Sequence, residues 1–532
     1  MCAVARAASA LCLCSWLSSH THTMVGISLL LFCATATAAA PPCTQLDGPG
    51  SLASNTDRIQ QALDAASKRG TQHARGCVAV GPGDWPVRGV TVRSNTTFMI
   101  QPGARLVSKI NVTATAVVQV DKAEHVTLEG GGGIHGHAEE AWSYFSDKDA
   151  RMSPVAVDGS MSRPHTLLIA NSKDVHVHHL FLHNSTDWTF RMDSSEDIYV
   201  DSIDVYGDER FPNNDGIDPE SCVNVTIVNS HVNVADDALC PKANSGPLRG
   251  LTVRNTTLRS RSGAIKFGSN TGPGKMSDIL FDNLTIWSSN GGMKIQGRGG
   301  GTVPSDIVNV TWSNIRVETQ YHAPRWWGNG DWLGITMLPR NPGDSVGTAR
   351  QLRFINITGR SENGGLLSSL QGGGLSDVLF ENVHIKIETW SNYSQGSVSD
   401  GKTGPVGPGW PQGVMCGRDP LICGSDNKTC TGQGDTSLGP PLPPSAPAQS
   451  LPCFGTHDYR PHDGGSCSYY CRTPSKAHGL YVENVHGLKL KNVTFEFAQP
   501  RKGWFGECLK VDNRSTGVVG AEDVRCIGGL HE

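Results

Sequence analysis

The chain has 532 residues, with 45 Lys and Arg against 49 Asp and Glu and a formal net charge of −4. That balance leaves no basic stripe for nucleic acid, so no nucleic-acid partner is expected. Glycine (62) and proline (30) are abundant and only 18% of residues are charged, which argues for a turn-rich, all-β chain rather than a helical one.

The segment Met24–Ala40 is an apolar core followed by small residues, the pattern of a secretory leader with its cleavage site. Residues 1–40 are therefore read as a signal peptide, with Met24 as a possible true start and Pro41 near the mature terminus. No later run approaches the roughly 20 apolar residues of a spanning helix, so no membrane contact is expected after cleavage. Removing the leader discards Cys2, Cys12, Cys14 and Cys33 and leaves an even number of the 16 cysteines, as a disulfide-bonded exported chain would have. Twelve N-x-Ser/Thr sequons, Asn95, Asn111, Asn255, Asn283 and Asn427 among them, are candidate glycan acceptors. About half are expected to be modified, because Asn-x-Thr is also a natural turn into a strand.

In chain order, Ile59, Ala62, Leu63 and Ala66 follow i, i+3, i+4, i+7 spacing and predict an amphipathic helix over Asp57–Ala66, capped by Asn55 or Thr56. Cys43 and Cys77 bracket it and are expected to pair. Short alternating strands divided by Gly-Pro and Pro-Gly turns come next. From about Val118 a repeat sets in. Related phrases start at Asp174, Asp197, Asn224, Gly250, Asp278 and Asp306, steps of 23, 27, 26, 28 and 28 residues, and return at Leu352 and Asp377. Each holds two strand-like pieces with Asn, Asp or Gly at the corner. A fixed period of this length marks a solenoid, and strands with Asn corners and no spaced leucines favour a parallel β-helix over a leucine-rich repeat. The expected fold is all-β, a right-handed parallel β-helix with a short N-terminal helix. Residues 41–393 are assigned to the catalytic solenoid. Residues 394–476 break the pattern with Gly, Pro, Ser and six cysteines, and are read as a disulfide-stapled insertion. Residues 477–532 are assigned to final rungs and a cap, with Cys508 pairing Cys526.

Within the repeat, Asp215 lies 21 and 22 residues before Asp236 and Asp237. That is close to one rung, and neighbouring rungs stand roughly 4.8 Å apart, so the three carboxylates should gather on one face. Crowded carboxyls cannot all ionise freely. One that holds its proton beside one that can take a proton is a layout for acid–base chemistry. The bland alternative makes these residues turn and corner caps or a Ca²⁺ site. His135, His137, His176, His178 and His179 show no partner at ligand spacing, so neither a metal nor a cofactor is assigned. Trp326, Trp327 and Trp332 sit in a long step between rungs, where exposed rings could stack on sugars or cap the loop's own core. Arg163, before Pro164, is read as structural.

RPHTLLIANSKDVHVHHLFLHNSTDWTF, then NNDGID, then ADDALC, resemble glycoside hydrolase family 28, from about Thr56 to the C-terminus outside the insertion. The resemblance implies a right-handed parallel β-helix that hydrolyses pectic α-glycosidic bonds with inversion. It makes Asp237 the general acid, Asp215 and Asp236 the pair that activates water, and Asn213 part of the substrate site. It also implies a disulfide between Cys222 and Cys240. Two positions depart from the family. Ser262–Ser269 has no histidine where the family has a G-H-G motif. The R-I-K motif falls on Lys294-Ile295-Gln296, with one cation where two are usual. Lys266 from the neighbouring rung and Arg298 nearby are candidate replacements, which places Lys266, Lys294, Gln296, Arg298, Trp326 and Trp327 in the expected substrate site. A monomeric, secreted cell-wall enzyme acting on a polysaccharide is the implied whole. A β-helix lyase and a non-catalytic sugar-binding solenoid remain the rivals.

Overall fold

A computed structural model describes residues 42–528 apart from 110–112, 142–161, 209–210, 212, 269–270, 298–302, 321–329, 338–344, 370–371, 389, 391–476 and 501–504; within 391–476 only two short paired strands, Ile422–Cys423 and Cys430–Thr431, are described. The expected leader, nearly all of the Cys-rich insertion, Arg298, Trp326 and Trp327 lie outside the described residues.

The ladder exists. Two long walls of parallel strands run the length of the molecule and enclose one apolar core, in a right-handed parallel β-helix. The first wall carries the repeat phrases. Its strands Leu248–Ser260, Lys275–Ser289, Asp306–Thr319, Thr348–Ser361, Leu375–Ile387 and His486–Phe497 pair each with the next, all parallel. Where the sequence suggests two short pieces meeting at an Asn corner, the later rungs run straight through as one bent strand. The corner residue stays in the pairing because Asn tolerates the left-handed backbone: Asn255, Asn283, Asn314, Asn356, Asn382 and Asn492 all have φ between 49° and 56°. Their side chains stack into a ladder. The Asn283 amide donates to Asn255 at 2.8 Å, Asn356 to Asn314 at 3.0 Å, Asn382 to Asn356 at 3.1 Å and Asn492 to Asn382 at 2.9 Å. The last of these steps over 110 residues, including 391–476.

Inside the walls, side chains of equal register meet face to face. Trp312, Phe354 and Phe380 form a stack with centroids 4.6 and 4.7 Å apart. Trp332 also belongs to this core. It is fully buried, its Nε1 donates to the Gly479 carbonyl at 3.2 Å, and it meets Phe380 edge-on. It is therefore a packing residue and not an exposed sugar platform.

One end of the solenoid is closed by α1 (Leu52–Arg69), which lays Ile59, Leu63 and Ala66 on the core. The helix starts earlier than its apolar spacing suggests. Ser51 caps it, accepting from the Ser54 amide, while Asn55 lies inside the helix and ties its own side chain to Gly50 and Pro86. Cys43–Cys77 and Cys508–Cys526 are bonded as expected. Cys222 and Cys240 are not: both are buried free thiols, donating to the carbonyls of Glu220 and Gly268 respectively. No described helix is long and apolar enough to cross a membrane.

Candidate active site

The second wall positions the carboxylates. Phe190–Asp193 pairs with Ile217–Glu220, Ile217 bridges to Leu239, Leu239 to Ile265, and Ile265–Phe267 then pairs with Gly291–Gly297, followed by Asp331–Met337. Asp215 stands two residues before Ile217 and Asp237 two residues before Leu239, so the two are stacked one rung apart. The Gly216 amide donates to the Asp237 carbonyl at 2.8 Å and locks that register. Asn213 and Asn214 tie the two corners together. The Asn213 amide donates to Asp236 Oδ2 at 3.1 Å, and Asn214 Oδ1 accepts from the amides of Ala235 and Asp236. The near-one-rung spacing read from the sequence thus brings Asp215, Asp236 and Asp237 into one buried cluster.

Each carboxyl has a different environment. Asp237 accepts from Ser262 Oγ at 2.6 Å and the Gly263 amide at 3.0 Å on one oxygen, and from Lys266 Nζ at 2.7 Å on the other. An acceptor-only carboxylate with an ammonium against it is the ionised form. Asp215 is lifted by burial to about 6, against the pull of Lys242, whose Nζ is 3.4 Å away. Burial, reinforced by the charges of Asp215 and Asp237, pushes Asp236 well above its ordinary value, although its oxygens accept from the amides of Asn213 and Asp237; among the described residues no lysine touches it. Behind them Asp218 is fully buried and bonded to Lys242. Burial disfavours the Lys242 ammonium, but the carboxylates of Asp218 and Asp215 outweigh it and hold the proton on.

Sequence reasoning missed Lys242 and Trp188. Lys242 Nζ sits 3.9 Å from the Trp188 ring centroid, a cation–π contact, and Trp188 is half-buried one rung below Asp215. The one available signal was the 24-residue separation of Asp218 and Lys242, again about one rung. Arg163, read as structural, reaches the cluster. It donates to Asn213 Oδ1 and the Thr186 carbonyl, and the charges of Asp187, Asp215 and Asp236 act on it.

The expected substrate residues divide. Lys266 is on Asp237. Lys294, its register neighbour, instead faces Asp331 at 3.1 Å, both deeply buried. Gln296 is buried farther along the same strand, its carbonyl accepting from Thr271. One oxygen each of Asp215 and Asp237 and the Cys240 sulfur lie within 4.8 Å of one another, a spacing that could hold a cation. Lys242 and Lys266 already supply positive charge to these two carboxylates, so a divalent ion would have to displace them.

Residues 83–394, more than half the chain, match the family described as glycosyl hydrolases family 28. The chain belongs to this family. A probable polygalacturonase from Vitis vinifera is 23% identical over 286 residues, covering 46% of this chain and 55% of the relative. A probable exopolygalacturonase B from Aspergillus terreus is 24% identical over 204 residues, 37% and 45% of the two chains. The family 28 chain thus spans about half the length of the curated relatives it matches. Among solved structures, a polygalacturonase from Erwinia carotovora is similar with a TM-score of 0.50 and 19% identity, over 67% of this chain and 97% of that one. At that identity the likeness speaks for the shared β-helix.

Proposed function

We propose that the protein is a glycoside hydrolase that cleaves a pectin-like polysaccharide by single-displacement, inverting hydrolysis. The observation that carries this reading is the unequal treatment of three stacked carboxyls. Among the described residues two have ammonium partners, Asp237 with Lys266 and Asp215 with Lys242, while Asp236 has no lysine against it and is pushed toward its protonated form by burial. Asp236 accepts from the amides of Asn213 and Asp237, but its burial without a lysine beside it favours it as the proton donor, with Asp215 and Asp237 as the pair that holds and deprotonates water. That reverses the roles of Asp236 and Asp237 implied by the sequence resemblance. Protonating the leaving oxygen from one side while water attacks the anomeric carbon from the other requires this division. A lyase would need an uncommitted basic side chain to abstract a carbon-bound proton, whereas Lys242 and Lys266 are both engaged by carboxylates. The apolar N-terminal segment and the two disulfides fit an exported, extracellular enzyme.

The test compares Asp236→Asn with Asp237→Asn on a polymeric substrate and on an aryl glycoside with an activated leaving group. Both variants should lose roughly 10²–10⁴-fold on the polymer. On the aryl glycoside Asp236→Asn should recover most of its rate, because that leaving group needs no proton, and Asp237→Asn should not. Recovery by Asp237→Asn alone would restore the reverse assignment. Full activity of both on the polymer would sink the assignment of the chemistry to these carboxylates, and no activity of the wild type on any pectic polymer would sink the hydrolase reading.

A further inference from the structure

The floor beyond Asp237 has an internal charge balance that bears on which sugar it can seat. Two residues before Leu239, Ile265 and Met293 stand Asp237, Gly263 and Gly291, and Gly291 pairs with Asp331 on the next rung. A column therefore runs carboxylate, glycine, glycine, carboxylate. Lysines 266 and 294 flank it on adjacent rungs and fill the space the glycines leave. A Cβ on Gly263 would meet the Lys266 chain at 3.0 Å, and one on Gly291 would meet Lys294 Cε at 2.5 Å. Lys266 turns back and donates to Asp237 at 2.7 Å, and Lys294 Nζ lies 3.1 Å from Asp331 as an ion pair, without hydrogen-bond geometry. A third glycine, Gly334, makes room for Asp331, whose Oδ2 would lie 2.8 Å from an added Cβ.

Lys294 and Asp331 are 3% and 0% exposed, as deeply set as Asp237 at 3%. They stand two and three rungs beyond Asp237, in line with it along the wall. Lys242 is likewise committed to Asp215 and Asp218, and Arg163 donates to Asn213 and Thr186. Among the described residues, each lysine of the floor is thus already opposed by a carboxylate of the floor. A uronate arriving here would lose its hydration, which is costly for a buried ion, and would meet a lysine whose charge Asp331 already balances. Hydroxyl groups carry no such cost and can bond to both members of the pair.

We infer that the sugar unit seated over Gly263 and Gly291 is uncharged, and that Asp331 sets this preference by balancing the Lys294 charge. The inference rests on the hydrolase reading and names the substrate class at that position: a neutral pyranose or an esterified uronate.

The test uses full-length Asp236→Asn protein, to prevent turnover, and three oligosaccharides of one length and linkage: oligogalacturonate, its methyl ester and its carboxyl-reduced form. Calorimetric titration should show at least one uncharged probe binding tenfold or more tighter than the acid. If the ester and the reduced form both do, charge alone decides; if one does, it identifies the natural source. Adding Asp331→Asn should shift the preference at least tenfold toward the acid and make acid binding weaken with salt. Circular dichroism checks folding. Should that variant not fold, Lys294→Met replaces it, and the acid-to-uncharged ratio should stay within threefold of its parent. The inference is overturned if the acid binds as tightly as both uncharged probes, if no probe binds, if Asp331→Asn leaves the ratio unmoved, or if Lys294→Met costs acid binding tenfold. Wild-type hydrolysis of the same probes separates the two readings. Unchanged binding preference with no product from any probe would defeat the hydrolase proposal alone, and cleavage with the acid preferred in binding would defeat the inference alone.

Discussion

Burial raises the Asp215 carboxyl to about 6, and its ionisation should be visible both in activity and in stability. A water-activating carboxylate works only when ionised, so kcat/KM should rise as pH passes upward through about 6. Burial pushes the Asp236 carboxyl up as well, the direction that a proton donor needs. For stability the sign is opposite. The folded state binds the Asp215 proton more tightly than the unfolded state, so stability falls as pH rises from about 4 to 6 and the penalty persists above. A rise from 3.8 to about 6 corresponds to about 3 kcal/mol. Asp215→Asn, inactive, should therefore have a higher denaturation midpoint than wild type at pH 8 and little change at pH 4, with Asp218 left to partner Lys242. An equal shift at both pH values would mean that burial of the Asp215 charge is not what costs stability. Asp215, Asp236 and Asp237 could be read from spacing because a near-one-rung period converts directly into proximity. The division of roles could not, since it depends on where Ser262, Lys266 and Lys242 aim their donors. Trp188 and Lys242 were hidden for the same reason: their contact spans rungs through side-chain reach, which no linear pattern records.

At the scale of elements, the Asn corners do the work of register. A rung slipped by one residue would turn core side chains outward, and the left-handed Asn with its side-chain ladder marks one fixed position on each rung. Asn283, with φ of 54° and an amide donating to Asn255, tests this. Asn283→Ala should destabilise by about 2 kcal/mol, combining the left-handed strain of a Cβ with a lost hydrogen bond. Asn283→Gly should cost only the second part. Urea denaturation would show it, and equal losses for the two variants would mean the backbone conformation carries no cost there. Asn255, Asn283, Asn356 and Asn492 are also sequons, so the Asn-x-Thr phrase has a structural use in this wall whether or not a glycan is attached. The repeat phrases were legible because period-2 alternation and a near-constant step are local. The helix start was not, because Ser51 acts through a single cap bond and Asn55, a residue that looks like a cap, is used inside the helix to fasten neighbouring loops. The Cys222–Cys240 pairing failed for a further reason. A sequence separation typical of a bonded pair says nothing about where two strands send their thiols, and here each sulfur donates to a carbonyl instead.

At the scale of the whole molecule, a solenoid whose rungs contact only their neighbours should tolerate a large insertion between two of them. Leu480–Glu483 pairs directly on Asn363–Ser369, and His486–Phe497 on Leu375–Ile387, as if nothing intervened. Deleting residues 391–476 would shorten the 110-residue step by 86, to 24, close to the 26 and 28 residues of other steps in the ladder. Both wall pairings, the Asn382–Asn492 bond and the Trp332–Gly479 bond lie outside the deleted segment. The shortened protein, closed by a Gly-Ser turn, should keep the circular dichroism of parallel strands and lose less than about 2 kcal/mol, since loop closure depends only weakly on length. Its activity is the more informative measurement. Retained kcat/KM on the polymer would mean that Asp215, Asp236, Asp237 and the floor out to Asp331 form the complete working site. A fold kept intact with KM raised tenfold or more would instead assign the Cys-rich segment to holding the polysaccharide beyond that floor.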